Sequence, residues 1–439
     1  MIFNRWIVLW SVFLMLLPAS VSAARYNYID ISNPFLRKTP IAVPVFKVPA
    51  QDPAAIRTAE SAARRLAYYL EFTGYFTISD PGAFLEDPQA MDITGAGIRY
   101  RNWTVIGAEM LVTGGVEIHD GEAQFELRLF DTVKQKMLVG KRYRGKPDDY
   151  NRVARRFCSE VVFAVTGSRG FFDSKLAFVS NGTGHKEIYL CDFDGSNVRQ
   201  FTRHNSISLF PDWSSDGRWI AYTTYANKRP RIRMQHVKEK RWSGIDKPGL
   251  QAVAAWVPGQ FKLAASLSFS GDLEIYLLTG NGKVIKRLTN SVGIDGEPTW
   301  APDGKRLAFV SRRAGNPQIY ILDTVSGRVQ RLTFEGRYNT QPSWSPKGDR
   351  IAYSAMKSGV IDIFTIDPEN GEAVQLTENQ GSNEAPTWSP DGSLIAFSST
   401  REGKSRIYVM TAYGTDQRRL LTLPGEQTNP KWSPNIVTP

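Results

Sequence analysis

A chain of 439 residues with 42% hydrophobic and 22% charged residues is too long for one ordinary domain and too balanced for a disordered or fibrous protein, so two or three globular domains are expected. Two cysteines, Cys158 and Cys191, exclude a disulfide scaffold and leave stability to packing; they stand as two buried thiols or as one inter-domain pair. The net charge of +11 lies mostly after residue 168, where 34 Lys/Arg face 26 Asp/Glu, against 19 and 17 in residues 25–167; such an excess either steers acidic partners and anionic polymers or only solubilises the surface.

The chain opens with Arg5, an apolar run from Trp6 to Leu17, Pro18 and the small residues Ala19 to Ala24. This pattern predicts a secretory signal peptide over residues 1–24, cut after Ala23 or Ala24. An uncleaved anchor is the alternative, but the run falls short of the roughly 20 residues that span a bilayer. Export makes nucleic acid an improbable partner. Residues 25–34 are strand-prone through Tyr26, Tyr28, Ile29 and Ile31, and no hairpin partner follows. They form either a mobile tail that adds a strand to another protein or an edge strand of their own domain.

Residues 35–167 alternate strand and helix signals. Ile41–Val48 is a strand candidate, with Pro44 suiting an edge or a bulge. Asp52 and Pro53 make an N-cap and first helical position, and Ile56, Ala59, Ala63, Leu66 and Leu70 recur at helical spacing until Gly74. A second helical stretch is expected around Trp103. Strands follow at Met110–Ile118, Ala123–Asp131 and Met137–Arg144, the first two turning through Asp120-Gly121, and a helix from Tyr150 to Val165 buries Val153, Phe157 and Val161 and stops at Gly167. The expectation is an N-terminal α/β domain with a mixed sheet.

From residue 168 onward the text repeats. Trp213, Trp256, Trp300, Trp344, Trp388 and Trp432 stand at spacings of 43, 44, 44, 44 and 44. Each ends one strand, and Asp-Gly pairs at 216–217, 303–304 and 391–392 turn the chain into an apolar second strand. A third strand reads QIYILD or RIYVMT, and a fourth ends in RLT or QLT. Four short strands per period is the composition of a propeller blade. An orphan second strand, SKLAFVS at 174–180, precedes the first tryptophan, and none follows the last. The strand around Trp432 should therefore pair beside Ala177, giving a closed, all-β six-bladed propeller over 168–439 rather than an open solenoid with free edges. AAWVPGQFKLAAS at 254–266 lacks the Asp-Gly pair and reads one residue short, predicting a looser turn or bulge.

Together, ARYNYIDISNPFLRKTPIAVPVF (24–46), GAEMLVTGGVEI (107–118), the junction VTGSRGFFDSKLAFVS (165–180) and the six repeats resemble the TolB family of the Tol-Pal cell-envelope system. The repeats alone are shared with prolyl oligopeptidase-like propellers; the α/β domain joined directly to six blades is the diagnostic part. The resemblance implies a periplasmic, monomeric scaffold that binds the peptidoglycan-associated lipoprotein Pal through its propeller and TolA through its N-terminal segment. It also implies a part in outer-membrane integrity and envelope constriction at division, with other outer-membrane or peptidoglycan-associated proteins as further partners. The TolA segment would be Arg25, Tyr26, Asn27, Tyr28, Ile29, Asp30, Ile31, Ser32 and Asn33, of which only the kernel Tyr28, Ile29 and Asp30 matches well.

The Pal surface follows from geometry as well. Residues just before each tryptophan lie where the inner strands begin, at one mouth of the central channel. They are Leu209 and Phe210; Leu250 and Gln251; Asp295, Gly296 and Glu297; Asn339, Thr340 and Gln341; Ser382, Asn383 and Glu384; and Gln427, Thr428 and Asn429. These stretches differ although their neighbours repeat, as a site for one asymmetric partner requires and as ordinary loop drift also produces.

Reacting groups are not evident. No G-x-S-x-G elbow occurs, and His119, His185, His204 and His236 show no metal-ligand spacing and read as surface or turn residues. Asp192-Phe193-Asp194-Gly195 hints at a calcium loop but lacks a third acid and the distant Glu. No enzyme, cofactor or metal is expected. The other reading kept is a secreted propeller that binds envelope glycan through its basic face.

Overall fold

The computed structural model describes residues 37–48, 52–269 and 271–436, so the expected signal peptide and the 25–33 segment lie outside the described residues. The first domain is built on a five-stranded sheet. Its elements are β1 (Thr39–Ala42), α1 (Pro53–Phe72), β2 (Phe76–Ile78), α2 (Tyr100–Val105), β3 (Met110–His119), β4 (Glu122–Asp131), β5 (Lys136–Gly145) and α3 (Tyr150–Thr166). The sheet order is β2-β1-β3-β4-β5, with β1 parallel to β2 and β3 and the rest antiparallel, which makes the sheet mixed as expected.

Local chemistry explains these boundaries. The Asp52 carboxylate accepts the Ala54 N–H at 2.9 Å ahead of Pro53, so α1 starts with a satisfied donor and a preset φ. Gly167, at φ 76°, ends α3 in the left-handed conformation that residues with a Cβ resist. Asp120 and Gly121 both take positive φ, the geometry of a tight hairpin between β3 and β4. Alternation along β3 sends Val112 and Val116 towards α1 and α3, while Leu111 packs with Trp103 and Phe130 on the opposite face. Two expectations change. The strand at 41–48 is only β1 plus a single bridge from Lys47 to Gly115, because Pro44 interrupts pairing. Ile56 is 39% exposed rather than on the buried stripe of α1.

The remaining chain forms six four-stranded sheets. Five run in chain order with the tryptophan strand innermost, for example Asp295–Trp300, Arg306–Ser311, Gln318–Asp323 and Val329–Arg331. The sixth takes Gln427–Trp432 as its inner strand beside Lys175–Ser180, with Trp432 opposite Leu176 and Lys431 opposite Ala177. The propeller thus closes at the place the orphan strand indicated. Each blade is named below by its tryptophan.

The Trp256 turn is neither short nor loose. The Val257 N–H reaches the Lys262 carbonyl at 2.9 Å, the same five-residue span as Ser214 to Trp219. Pro258 followed by Gly259 at φ 68° places positive φ one residue earlier than Gly217 does, which exchanges one tight turn type for another. The inner hairpin bulge expected there occurs in every blade.

The domains share one core. Tyr69 and Phe72 of α1 pack on Phe171, Phe172 and Phe193 with ring centroids 5.1–6.5 Å apart. Arg418 lays its guanidinium 4.5 Å over the Phe72 ring and donates to the Phe72 carbonyl at the end of α1. Buried Asp192 accepts from Arg155 of α3 and from Lys175, each at 2.6 Å, and from Asn197 at 2.8 Å. These residues sit in first-to-second and third-to-fourth turns of the Trp388 and Trp432 blades. The α/β domain therefore covers the side of the ring where the tryptophan strands end, and the mouth where they begin faces away from it. Both cysteines are buried and free, and burial pushes both thiols well up.

Candidate functional site

Every inner strand begins with a buried polar residue: Ser208, Gln251, Asp295, Asn339, Asn383 and Gln427. Their partners explain the RLT and QLT repeats. In the Trp300 blade Thr333 Oγ1 accepts the Ile319 N–H at 2.9 Å and donates to Gln318 Oε1 at 2.7 Å, which also receives Asn339 Nδ2 at 2.8 Å. Thr377 repeats this with Ile363, Asp362 and Asn383. Thr202 and Thr289 serve Glu187 and Glu274 in the same way. The Trp213 and Trp388 blades use a second set. Arg231 and Arg406 replace the acid or amide, no threonine follows, and the next inner strand begins with glutamine: Gln251 Oε1 accepts the Ile232 N–H at 3.1 Å, and Gln427 Oε1 receives Arg406 at 3.2 Å. The threonines, and Gln251 for the Trp213 blade, thus give buried backbone donors their acceptors, whereas Gln427 serves the Arg406 side chain.

Two residues further along, the side chains turn into the channel. Phe210, Val253, Glu297, Gln341, Ala385 and Asn429 line it. Five of these take φ between 49° and 55°, and each of the five precedes proline; Val253, followed by Ala254, does neither. Holding non-glycine residues there is unfavourable, and bonds between blades hold Glu297, Gln341, Ala385 and Asn429. Glu297 Oε2 accepts the Gln341 N–H at 2.7 Å, Gln341 Oε1 accepts the Ala385 N–H at 2.9 Å, and Ser398 Oγ accepts the Asn429 N–H at 3.1 Å. Burial raises the carboxyls of Glu297 and Glu384 above the usual range.

The outermost ring at this mouth is apolar and basic. Ile207, Leu250 and Ile294, each immediately before an inner strand, are 42%, 42% and 45% exposed, and Val292 and Phe334 reach 89% and 71%. Arg203, Lys228, Arg229, Arg312 and Arg337 are exposed in the loops of the same side. Isolated surface apolar residues are ordinary, but a group of them around one opening marks a contact surface.

Residues 27–138 match the model of the TolB amino-terminal domain, and residues 163–436 match that of the TolB beta propeller domain. The chain belongs to the TolB family. Among TolB relatives, the Tol-Pal system protein TolB of Desulfosudis oleivorans is 56% identical over 280 residues, 64% of each chain. The protein TolB homolog of Chlorobium luteolum is 40% identical over 284 residues, 64% of this chain and 63% of that one. The matched stretch thus spans just under two-thirds of these relatives' length. The crystal structure of TolB from Acinetobacter baumannii superposes with a TM-score of 0.79 at 25% identity, covering 91% of this chain and 97% of that chain.

The TolB-type ring expected from sequence is brought to one mouth, but its members divide. Gln251, Asp295, Asn339, Asn383 and Gln427 are 0–2% exposed and bonded inside the blades, and Gly296 and Thr340 are buried beside them. Phe210, Glu297, Gln341 and Asn429 line the channel. Leu209, Leu250, Ser382, Glu384 and Thr428 keep exposed or half-exposed side chains. Sequence reading missed Ile207, Val292, Ile294 and Phe334; the available signal was an apolar residue in the loop between each fourth strand and the next tryptophan strand. Among the histidines, His236 is only 7% exposed: its Nδ1 accepts the Glu239 N–H at 2.9 Å and Trp219 packs edge-on at 5.2 Å. At the suggested calcium loop, Asp192 is already neutralised by Arg155 and Lys175.

Proposed function

We propose that this protein is a non-enzymatic, periplasmic scaffold of the Tol-Pal system that captures the lipoprotein Pal at the open channel mouth and TolA through residues 25–33. In this reading it works as a monomer joining inner- and outer-membrane components, supporting outer-membrane integrity and constriction at division. The observation that carries it is the apolar, basic rim of Ile207, Leu250, Val292, Ile294 and Phe334, turned away from the α/β domain. Such a rim fits a partner with an acidic, partly apolar face: the exposed side chains supply area to bury and the arginines steer approach. Among the described residues no helix is long and apolar enough to cross a membrane, and no His/Cys/Asp/Glu group could hold a metal.

The test is capture of purified Pal by the mature chain. Ile294→Glu combined with Phe334→Glu places charge at exposed positions, leaves the buried polar sets intact and should weaken capture at least about tenfold. Pal affinity equal to wild type would remove the rim from the site. Deleting residues 25–33 should abolish TolA binding and spare Pal; undiminished TolA affinity sinks the tail assignment.

A further inference from the structure

The Trp213 blade departs from its sisters where it meets the Trp256 blade, and the departures converge on one groove. At the start of the second strand Trp219 stands where other blades carry Arg306 or Arg350. In the fourth strand, which lacks the RLT text, Trp242 is 60% exposed with the Arg233 guanidinium 4.0 Å from its ring centroid. From the neighbouring blade comes Phe261, 45% exposed, its ring 5.6 Å from that of Trp219 and laid against Gly280, where a Cβ would come within 2.4 Å of it. Lys240, Arg241, Ser243 and Asn281 complete the lining, which contains no carboxylate. Glu239 beside it is paired with Arg241 at 2.5 Å. These turns lie on the side of the ring that carries the α/β domain, which sits on other blades, so the groove and the channel mouth are on opposite sides.

We infer that this groove binds an anionic glycan with the chemistry of the cell wall: N-acetylated pyranose rings bearing carboxylates. Flat aromatic walls offer an apolar, electron-rich face that suits the C–H face of a pyranose. Lys240 can pair with a carboxylate, Arg241 is held by Glu239 over the Trp219 ring, and Ser243 and Asn281 can hydrogen-bond hydroxyl and acetamido groups. A peptide strand would need a backbone edge to pair with, and the fourth strand offers three residues, Trp242–Gly244. The inference rests on the periplasmic reading and is independent of what binds the channel mouth.

The experiment titrates the mature full-length chain with soluble peptidoglycan fragments carrying their peptide carboxylates. It is repeated with neutral chitotetraose and with poly-glutamate as competitor. Saturable binding is expected, weakened about tenfold by Trp242→Ala and by Lys240→Glu, with chitotetraose weaker than the fragments and poly-glutamate unable to compete. Pal capture measured on the same two variants should equal wild type, so loss of Pal binding and loss of glycan binding are read separately. No saturable binding by wild type, or undiminished binding by Trp242→Ala, overturns the inference. Competition by poly-glutamate as strong as by the fragments overturns it in favour of an acidic peptide.

Discussion

Valine in place of Thr333 keeps the branched shape and removes one oxygen. That oxygen is the acceptor for the Ile319 N–H at 2.9 Å, and both groups are buried. Gln318 Oε1, which Thr333 also serves, keeps its bond from Asn339 at 2.8 Å, so the group left orphaned is one backbone donor. An unsatisfied buried donor costs about 1–3 kcal/mol. For a unit of this size each kcal/mol lowers Tm by about 2–4 °C. Urea and thermal unfolding of Thr333→Val should show that loss, while Thr333→Ser, which retains the oxygen, should lose less than half as much. A Thr333→Val protein within about 0.5 kcal/mol of wild type, or one matched by Thr333→Ser, would refute the structural role assigned to the repeated threonine.

Burial alone would raise the Asp192 carboxyl, but hydrogen bonds from Lys175, Asn197 and Arg155 outweigh it and hold the group below the usual carboxylate range. Its stabilising contribution is therefore present above about pH 4 and is lost as pH falls through the lowered folded value. Asp192→Asn should cost about 1.5–3 kcal/mol at pH 7 and progressively less in acid; a pH-independent difference would contradict this. Glu297 has the opposite sign, because burial raises its carboxyl, so its own contribution to stability, read as the difference between wild type and Glu297→Gln, should rise as pH falls from neutrality towards 5. Glu297→Gln copies the neighbouring Gln341 arrangement and should match or exceed wild type at pH 7 with that slope removed; a loss above about 1 kcal/mol would be the failing result. Arg418→Ala should increase hydrogen exchange at the C-terminal turn of α1 before it affects the Trp300 blade, and unchanged exchange there would show that Arg418 does not hold the domain contact.

Periodicity was the most readable property of this chain. Tryptophans 43 or 44 residues apart specify equivalent strands, and the orphan strand at 175–180 specifies where the ring closes, because both depend on local text. The channel mouth was less readable. Asn339 and Asn383 look like exposed loop polars, yet each turns inward to a residue 21 positions back, Gln318 or Asp362, which no local pattern reports. Likewise Gln251 reads as a variable position until Arg231 and the missing threonine are seen to change with it. The three-residue β2 escaped because its pairing with β1 is parallel and crosses the whole of α1. The contact of Arg418 with Phe72 spans 346 residues, and nothing near either residue announces it.

The strand Gln427–Trp432 pairs with one laid down some 250 residues earlier. Until Gln427–Trp432 is available, Lys175–Ser180 waits with one side of its backbone unmatched. Closure of the ring therefore waits for a contact of very long sequence separation, and in the interval a sticky apolar ribbon stays exposed. Premature termination anywhere before residue 427 would leave that ribbon permanently open, so truncated products should be cleared by proteolysis or lost to aggregates rather than accumulate as partial scaffolds.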